Sequence, residues 1–214
     1  MENKDLAHIR RDYSREELSE GQVAGDPFVQ FGRWMDEAIA AELPEPTAMS
    51  ISTASAEGRP SSRMVLLKGF DNSGFVFYTN YKSAKATQLL ANPNVALNFH
   101  WTSIERQVRI CGLAEKAPEE LSDIYFEGRD RESQLGAWAS PQSQLIPDRK
   151  WLLDKVADLD AQYAGKPIPR PPHWGGFLVR PATMEFWTGR TARLHDRSLY
   201  TRDGSTWKRS TLAP

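Results

Sequence analysis

Residues 47–80, TAMSISTASAEGRPSSRMVLLKGFDNSGFVFYTN, decide the fold. The stretch contains three short runs rich in β-branched, aliphatic and aromatic residues, and the turn sequences AEGRP and DNSG separate these runs. Runs of this length joined by such turns predict an antiparallel meander of strands.

The segment before the meander predicts one amphipathic helix. Asp26 is its expected N-cap and Pro27 its first residue, and Pro44 and Pro46 end it after about Leu43. Its apolar residues recur at helical spacing: Phe28, Phe31, Met35, Ala38 and Ile39. Residues 1–25 are polar and dense in charge, so we expect a mobile arm before a folded body over residues 26–214.

The segments after the meander mix helices and strands. We expect helices from Ser83 to about Ala91, over PEELSDIYFEG and RESQLGAWAS, and over roughly 148–163. The expected strands are VALNFHW, RQVRICGLAEK, GGFLVRP, TMEFWTG and SLYTRDGSTWKRS, the last of which folds about an Asp203-Gly204 turn. Because strands and helices do not alternate regularly, the sequence predicts a single α+β domain, an antiparallel β-barrel with flanking helices.

Composition excludes several classes of protein. The 27 Lys and Arg residues nearly balance 28 Asp and Glu residues, so net charge does not favour nucleic acid or an anionic membrane as a partner. No apolar run approaches the ~18 residues of a membrane helix. The N-terminal sequence lacks the apolar core of a signal peptide, and we expect a cytoplasmic protein. Cys111, the single cysteine, excludes an internal disulfide framework, and its apolar surroundings predict a buried packing residue.

Common catalytic motifs are missing from the sequence. There is no dinucleotide-binding GxGxxG after a strand, no P-loop, no HExxH and no paired-cysteine metal spacing. The four histidines are too scattered to predict a metal site. His195 and Asp196 are adjacent in the segment RLHDR at 193–197, and neighbouring residues on a strand point to opposite faces, so a hydrolytic His-Asp pair is disfavoured.

Two arrangements favour an anion such as phosphate. The strand FVFYTN leads through Tyr78 and Thr79 into a helix that Ser83 caps and that carries Lys85, which places backbone N–H groups and a cation at one helix N-terminus. An ordinary capped surface helix is the alternative. Separately, the spacing of Tyr125, Arg129 and Ser133 predicts one helical face if the helix continues past Gly128; the alternative is a solvated face.

A third candidate is the pair Arg63 and Lys68, which bracket an apolar strand. A separation of five residues places the two side chains on opposite faces of a strand, so they would serve different ligands or different parts of one. Solvated charges at the ends of a strand are the alternative.

Several blocks, in order along nearly the whole chain, together resemble the pyridoxine/pyridoxamine 5′-phosphate oxidase family. They are RRDY at 10–13, PTAMSIST at 46–53, RMVLLK at 63–68, FYTN at 77–80, ERQVRI at 105–110, RESQLGAWAS at 131–140, WGGF at 174–177, EFW at 185–187, RLHDR at 193–197 and LAP at 212–214. The resemblance implies an FMN-binding split barrel and a homodimer with two active sites at the subunit interface. It also implies oxidation of pyridoxine or pyridoxamine 5′-phosphate to pyridoxal 5′-phosphate, with O2 consumed and H2O2 released.

The resemblance also assigns residues to the ligands. The FMN residues it implies are Arg63, Met64, Val65, Leu66, Leu67, Lys68, Tyr78, Thr79, Lys85, Gln107, Gln142, Ser143, Trp187 and Arg197. The substrate phosphate is assigned to Lys68, Tyr125, Arg129 and Ser133. Arg193 and His195 flank the reacting carbon as the catalytic pair, and Arg10 and Tyr13 close over the substrate ring.

One departure from the family pattern concerns the flavin phosphate. The family typically reads SRKA where this chain reads Ser83-Ala84-Lys85-Ala86, so a guanidinium is absent at Ala84, and Lys82 is a candidate to replace its charge. Two other functions stay open: a split-barrel flavin reductase or oxidase with another substrate, and a non-catalytic carrier of flavin or pyridoxal phosphate. In RLHDR, strand alternation would place Arg193, His195 and Arg197 on one face and Asp196 outside the chemistry.

Overall fold

The computed structural model describes residues 5–6, 8, 12–13 and 23–214. Within them the helices are α1 Pro27–Ala40, α2 Ala84–Ala91, α3 Glu119–Glu127, α4 Arg131–Ala139 and α5 Arg149–Gln162. The strands are β1 Ala48–Ala54, β2 Pro60–Leu66, β3 Gly69–Asp71, β4 Gly74–Asn80, β5 Asn94–Trp101, β6 Arg106–Lys116, β7 Trp174–Thr188, β8 Asp196–Asp203 and β9 Thr206–Thr211. The α+β prediction is confirmed.

The meander forms as its turn sequences predict. β1 and β2 pair antiparallel from Ala48 opposite Leu66 to Ala54 opposite Pro60, and Gly58 in the turn has φ +81°. The run SSRMVLLKGF contains two strands rather than one, because β2 ends at Leu66 and β3 pairs with β4. Lys68 lies between β2 and β3, so strand alternation does not determine which face its side chain takes relative to Arg63.

Side-chain caps fix the starts of several helices. The Asp26 carboxylate accepts the backbone N–H groups of Phe28 at 2.8 Å and Val29 at 3.2 Å, as the sequence predicts for α1. The helix ends at Ala40 rather than near Leu43, because Glu42 takes a left-handed conformation with φ +50°.

The two predicted strands GGFLVRP and TMEFWTG are one continuous strand, β7. Its first part pairs with β4 as far as Val179, and its last part pairs with β8 from Thr183. Pro181 lies between these two ladders, so neither of them needs the N–H group that proline lacks.

The strands form one nine-stranded sheet in the order β2-β1-β5-β6-β7-β4-β3, with β8 pairing β7 and β9. By contacts the chain divides into unit 1, Met1–Pro46, Asn98–Ile110 and Ala182–Pro214, and unit 2, Thr47–Leu97 and Cys111–Pro181. Unit 1 buries Phe31, Trp34, Phe99, Phe186 and Tyr200, and unit 2 buries Met49, Ile51, Phe75, Phe77 and Phe177. A mobile arm over residues 1–25 and one domain over 26–214 stay predictions.

The prediction of a buried Cys111 is wrong, because its side chain is exposed. Along β6 the residues Val108 and Ile110 are buried while Arg109 and Cys111 are exposed, so the apolar alternation places the cysteine on the outward face. In the part of the chain described, no helix is long and apolar enough to cross a membrane.

Candidate functional site

Unit 2 contains a pocket of about 620 Å³, which we call the anion pocket. Its lining residues are Met64, Val65, Leu66, Lys68, Tyr78, Thr79, Lys85, Tyr125, Gly128, Arg129, Asp130, Ser133, Gln142 and Trp174. The pocket therefore brings together residues from both arrangements that the sequence pattern favours for phosphate, together with the end of β2.

Lys85 is buried at the N-terminus of α2 and has only uncharged partners. Its Nζ donates to Thr79 Oγ1 at 3.0 Å, Gln142 Oε1 at 3.2 Å and Ser83 Oγ at 3.5 Å. Ser83 also caps the helix by accepting the Ala86 N–H, so the predicted cap is confirmed. Burial, and then the positive charge of Arg63, lower the pKa of Lys85. A bound anion would raise the pKa of Lys85 and so oppose both effects.

Arg63 lies on β2, outside the lining of the anion pocket, in a network of neutral acceptors. Its guanidinium donates to Thr53 Oγ1 at 2.7 Å, Ser61 Oγ at 2.6 Å and Gln88 Oε1 at 3.4 Å. Burial lowers its pKa. Within the described residues neither Arg63 nor Lys85 forms an ion pair. Two neighbouring cations without a carboxylate fit a cofactor that carries a phosphate.

The single helical face predicted for Tyr125, Arg129 and Ser133 is wrong. α3 ends at Glu127 with Gly128 as its C-cap, and Asp130 starts α4 by accepting the Ser133 N–H at 2.7 Å. Tyr125 therefore belongs to α3, Arg129 to the connection and Ser133 to α4, yet all three line the anion pocket. A turn between two short helices brings them together, in place of the i, i+4, i+8 spacing.

The remaining expected residues of unit 2 differ in position. Met64 is 64 % exposed and Leu67 only 4 %, and Leu67 does not line the anion pocket. Gln142 reaches the pocket through its contact with Lys85. Ser143 is exposed, with a left-handed φ of +71°, in the turn that Gln144 N–H closes on the Pro141 carbonyl at 3.0 Å.

Unit 1 holds a second group of expected residues, which we call the His195 cluster. The ring of His195 lies 4.7 Å from that of Trp187 and 5.4 Å from that of Tyr13, centroid to centroid. His195 Nδ1 accepts the Arg190 N–H at 3.0 Å. Burial, and then the charge of Arg193, lower the pKa of His195, and Asp196 opposes them. The lowered pKa favours the neutral form of the ring.

The strand alternation expected for RLHDR applies only to its last two residues, because β8 begins at Asp196. Arg193 lies in a short 3₁₀ turn, where Ala192 and Arg193 have φ of +52° and +61°. Left-handed backbone is costly at non-glycine residues. The Arg193 side chain is exposed. Asp196 pairs with Arg190 at 3.4 Å, which agrees with a structural role for this acid.

Arg197 is fixed on two sides. Its Nε donates to Glu185 Oε1 at 2.8 Å, and its Nη1 donates to the Ala213 carbonyl at 2.8 Å. Arg109 binds the other oxygen of the same carboxylate at 3.0 Å. Gln107 is half-buried on β6. Arg10 lies outside the described residues.

Sequence reasoning missed the partners of these side chains: Thr53, Ser61, Gln88, Trp174 and Glu185. Thr53 carries a signal in the sequence, because it is a polar residue on the face of β1 from which Met49 and Ile51 point inward. The others are recognisable only from contacts between elements distant in sequence.

Comparisons with known proteins agree over the whole chain. A family model described as pyridoxamine 5′-phosphate oxidase matches residues 35–163, and a model of the pyridoxine 5′-phosphate oxidase C-terminal dimerisation region matches residues 174–214. Pyridoxine/pyridoxamine 5′-phosphate oxidases of Rubrobacter xylanophilus and Synechocystis are each 54% identical. The first alignment covers 99% of this chain and 97% of the relative, and the second covers 100% of both.

Two solved structures are similar to this chain in fold. PhzG from Burkholderia lata, in complex with tetrahydrophenazine-1-carboxylic acid, is 31% identical with a TM-score of 0.88, over 95% of this chain and 100% of that one. An FMN-binding protein from Nostoc punctiforme, 18% identical with a TM-score of 0.71 over 90% of this chain and 100% of that one, shares the fold. The chain therefore belongs to the pyridoxamine 5′-phosphate oxidase family and has its α+β split-barrel fold.

Proposed function

We propose that this protein oxidises pyridoxamine 5′-phosphate and pyridoxine 5′-phosphate to pyridoxal 5′-phosphate in vitamin B6 metabolism, with FMN as cofactor. The anion pocket carries the proposal, because a phosphorylated cofactor and a phosphorylated substrate both need cations with available N–H donors. The full-length relatives named as oxidases of these two compounds support the same activity.

The proposed reaction balances with O2 as the oxidant. Pyridoxine 5′-phosphate and O2 give pyridoxal 5′-phosphate and H2O2, and the amine also takes up water and releases ammonia. When bound, the flavin supplies the acceptor for the two electrons that leave the substrate. The chain's own residues bind the cofactor and the substrate, orient them, and supply the charges around them.

The cofactor phosphate is assigned to Lys85, Arg63 and the N-terminus of α2. The support is the lowered pKa of both cations and their neutral partners, which an added dianion would complement. On the resemblance, residues 64–68 are assigned to FMN. The further FMN contacts assigned on the same ground are Tyr78, Thr79, Gln107, Gln142, Ser143, Trp187 and Arg197.

The substrate phosphate is assigned to Lys68, Tyr125, Arg129 and Ser133, which share the anion pocket. The phosphate lies away from the carbon of the substrate that is oxidised, so the energy gained by binding the phosphate serves to fix that carbon in place. The ligand of PhzG, a carboxylic acid without phosphate, would not need such a subsite.

The His195 cluster is assigned to the reacting end of the substrate. Because Nδ1 accepts the Arg190 N–H, a neutral His195 ring carries its proton on Nε2 and is a hydrogen-bond donor there. The guanidinium of Arg193 offers N–H donors as well. We therefore assign both side chains to orienting the substrate hydroxyl or amine. Tyr13 contacts the ring of His195, and Arg10 is assigned on the resemblance alone.

The homodimer is supported by the match of residues 174–214 to a dimerisation region. That each active site draws residues from both subunits is proposed on the resemblance, and complementation tests it. Mixed dimers of Arg129→Ala and Arg193→Ala chains should have about half of the parent activity if a site combines residues of two chains, because one of their two sites then keeps both arginines. No recovery in verified mixed dimers would contradict shared sites. The cytoplasmic location stays a prediction.

The activity is tested on the purified protein. We expect bound yellow flavin, and we expect aldehyde and H2O2 from each phosphorylated vitamer. Unphosphorylated pyridoxine and pyridoxamine are the matched controls and should react poorly, because they lack the group that the anion pocket binds. Absence of product from both phosphorylated vitamers in the FMN-loaded protein would overturn the proposal and leave a carrier or another flavin enzyme.

A further inference from the structure

Three aromatic rings lie parallel at one wall of the anion pocket. Tyr78 on β4 and Tyr125 on α3 are 4.0 Å apart between centroids with an interplanar angle of 5°. Trp174, at the start of β7, lies 5.5 Å from Tyr78 and 6.1 Å from Tyr125, with angles of 6° and 3°. The rings therefore form a common platform, which we call the aromatic platform.

Arg129 is held by this platform. Its Cζ lies 4.7 Å from the centroid of the Trp174 ring, and 5.9 Å from that of Phe126. The described residues supply no hydrogen bond or ion pair to its guanidinium. A carboxylate partner would occupy the N–H donors and offset the charge, whereas an aromatic face does neither. Arg129 is thus fixed in position with its donors available to an anion.

The fold keeps the Trp174 ring in place. The side chain is 6% exposed and packs with Phe126, Leu135 and Ile168. Gly176, two residues after Trp174, lets β7 approach the platform, because a Cβ there would lie 3.0 Å from Cε1 of Tyr78. The tryptophan therefore has little freedom to turn away from Arg129.

We propose that Trp174 is a positioning residue for the substrate phosphate. It holds the guanidinium of Arg129 over its face and fixes the plane of Tyr125, and it takes no part at the reacting carbon. The inference rests on the proposed function, in which Arg129 and Tyr125 bind that phosphate. It makes Trp174 a determinant of specificity for phosphorylated over unphosphorylated vitamers.

The first test is Trp174→Leu, with Trp174→Phe as the conservative variant. We expect Trp174→Leu to raise KM for both phosphorylated vitamers about tenfold, the size of a partly desolvated cation–π contact, with a smaller change in kcat. Trp174→Phe, which retains a ring face, should recover part of the loss. FMN affinity, measured by titration of the apoprotein, should change less than twofold in both variants.

The matched control is Trp151→Leu. Trp151 also carries a cation on its face, with Lys155 Nζ 4.1 Å from the ring centroid, but it lies on α5 outside the lining of the anion pocket. Its substitution should leave KM unchanged. Equal increases in KM for Trp151→Leu and Trp174→Leu would contradict the assignment.

A double-mutant cycle separates positioning from a general packing effect. In an Arg129→Ala background, Trp174→Leu should add little to KM, because its main target is gone. Calorimetric binding of pyridoxal 5′-phosphate against pyridoxal gives a readout without turnover, and only the phosphorylated compound should bind more weakly. Fully additive effects, or equal weakening for both compounds, would overturn the inference. A parent protein that binds pyridoxal 5′-phosphate but turns over neither vitamer would instead contradict the proposed function.

Discussion

The cations in and beside the anion pocket have different partners from those around the His195 cluster. Lys85 and Arg63 are surrounded by hydroxyl, amide and carbonyl oxygens, and Arg129 lies on a tryptophan face. In unit 1, by contrast, Arg197 and Arg109 share the carboxylate of Glu185. Neutral partners leave the positive charge available to a ligand, whereas a carboxylate neutralises it and fixes the side chain.

Cations with neutral partners and cations paired with a carboxylate should differ in what their removal changes. Removing a cation of the first kind should weaken ligand binding without destabilising the apoprotein. Breaking a pair of the second kind should destabilise the fold, because it leaves a partly buried charge without its partner.

The largest effect is expected for Lys85→Met. FMN affinity should fall about tenfold to a hundredfold, because a charge-assisted contact contributes about 1.5–3 kcal/mol. The free energy of unfolding of the apoprotein, from urea titration, should stay the same or rise, because burial already disfavours the charged amine. Lys150→Met, at an exposed lysine paired with Asp154, is the control and should change neither quantity. A clear loss of stability with unchanged FMN affinity would reverse the comparison.

Glu185→Gln should give the next largest effect, a loss of about 1–2 kcal/mol in the free energy of unfolding, because two arginines lose one buried carboxylate. The matched control is Glu115→Gln, which breaks a 2.7 Å pair with Arg180 whose side chains are both about half exposed. That variant should lose well under 1 kcal/mol. Similar losses in the two variants would contradict a special role for Glu185.

Arg193→Ala tests a cation of unit 1 that forms no ion pair with the described residues. The change should lower turnover more than FMN content, since we assign Arg193 to the substrate. It should also raise the pKa of His195 toward 6.5, because it removes one cause of the lowering. The acid limb of kcat/KM should then move to higher pH. Asp196→Asn removes the opposing charge and should move the limb the other way; a shift in the same direction would contradict the electrostatic assignment.

Lys82→Ala should have the smallest effect. Lys82 is exposed beside the α2 cap, where Ala84 replaces the family's arginine, so its charge is screened by solvent. We expect FMN affinity to fall about threefold, and the loss should shrink at high salt. An unchanged affinity at low salt would show that Lys82 does not replace the missing guanidinium.

Much of the local structure follows from the sequence. The Asp26 and Ser83 caps, the β1–β2 hairpin and a turn at Gly204 all form as their residues predict. Each of them depends on neighbours a few positions away. Local rules failed where a distant contact decided the outcome, as in the two ladders that let β7 continue through Pro181.

By itself the sequence determined the α+β class, the meander, and a set of cations, phenols and hydroxyls suited to phosphate. Only the tertiary structure decided which of these cations are paired with a carboxylate and which have neutral partners. Arg129 lies on Trp174, 45 positions along the chain, and Arg197 meets Glu185 on a neighbouring strand. A side chain's partner depends on strand register and helix packing, and neither has a period that can be read along the chain.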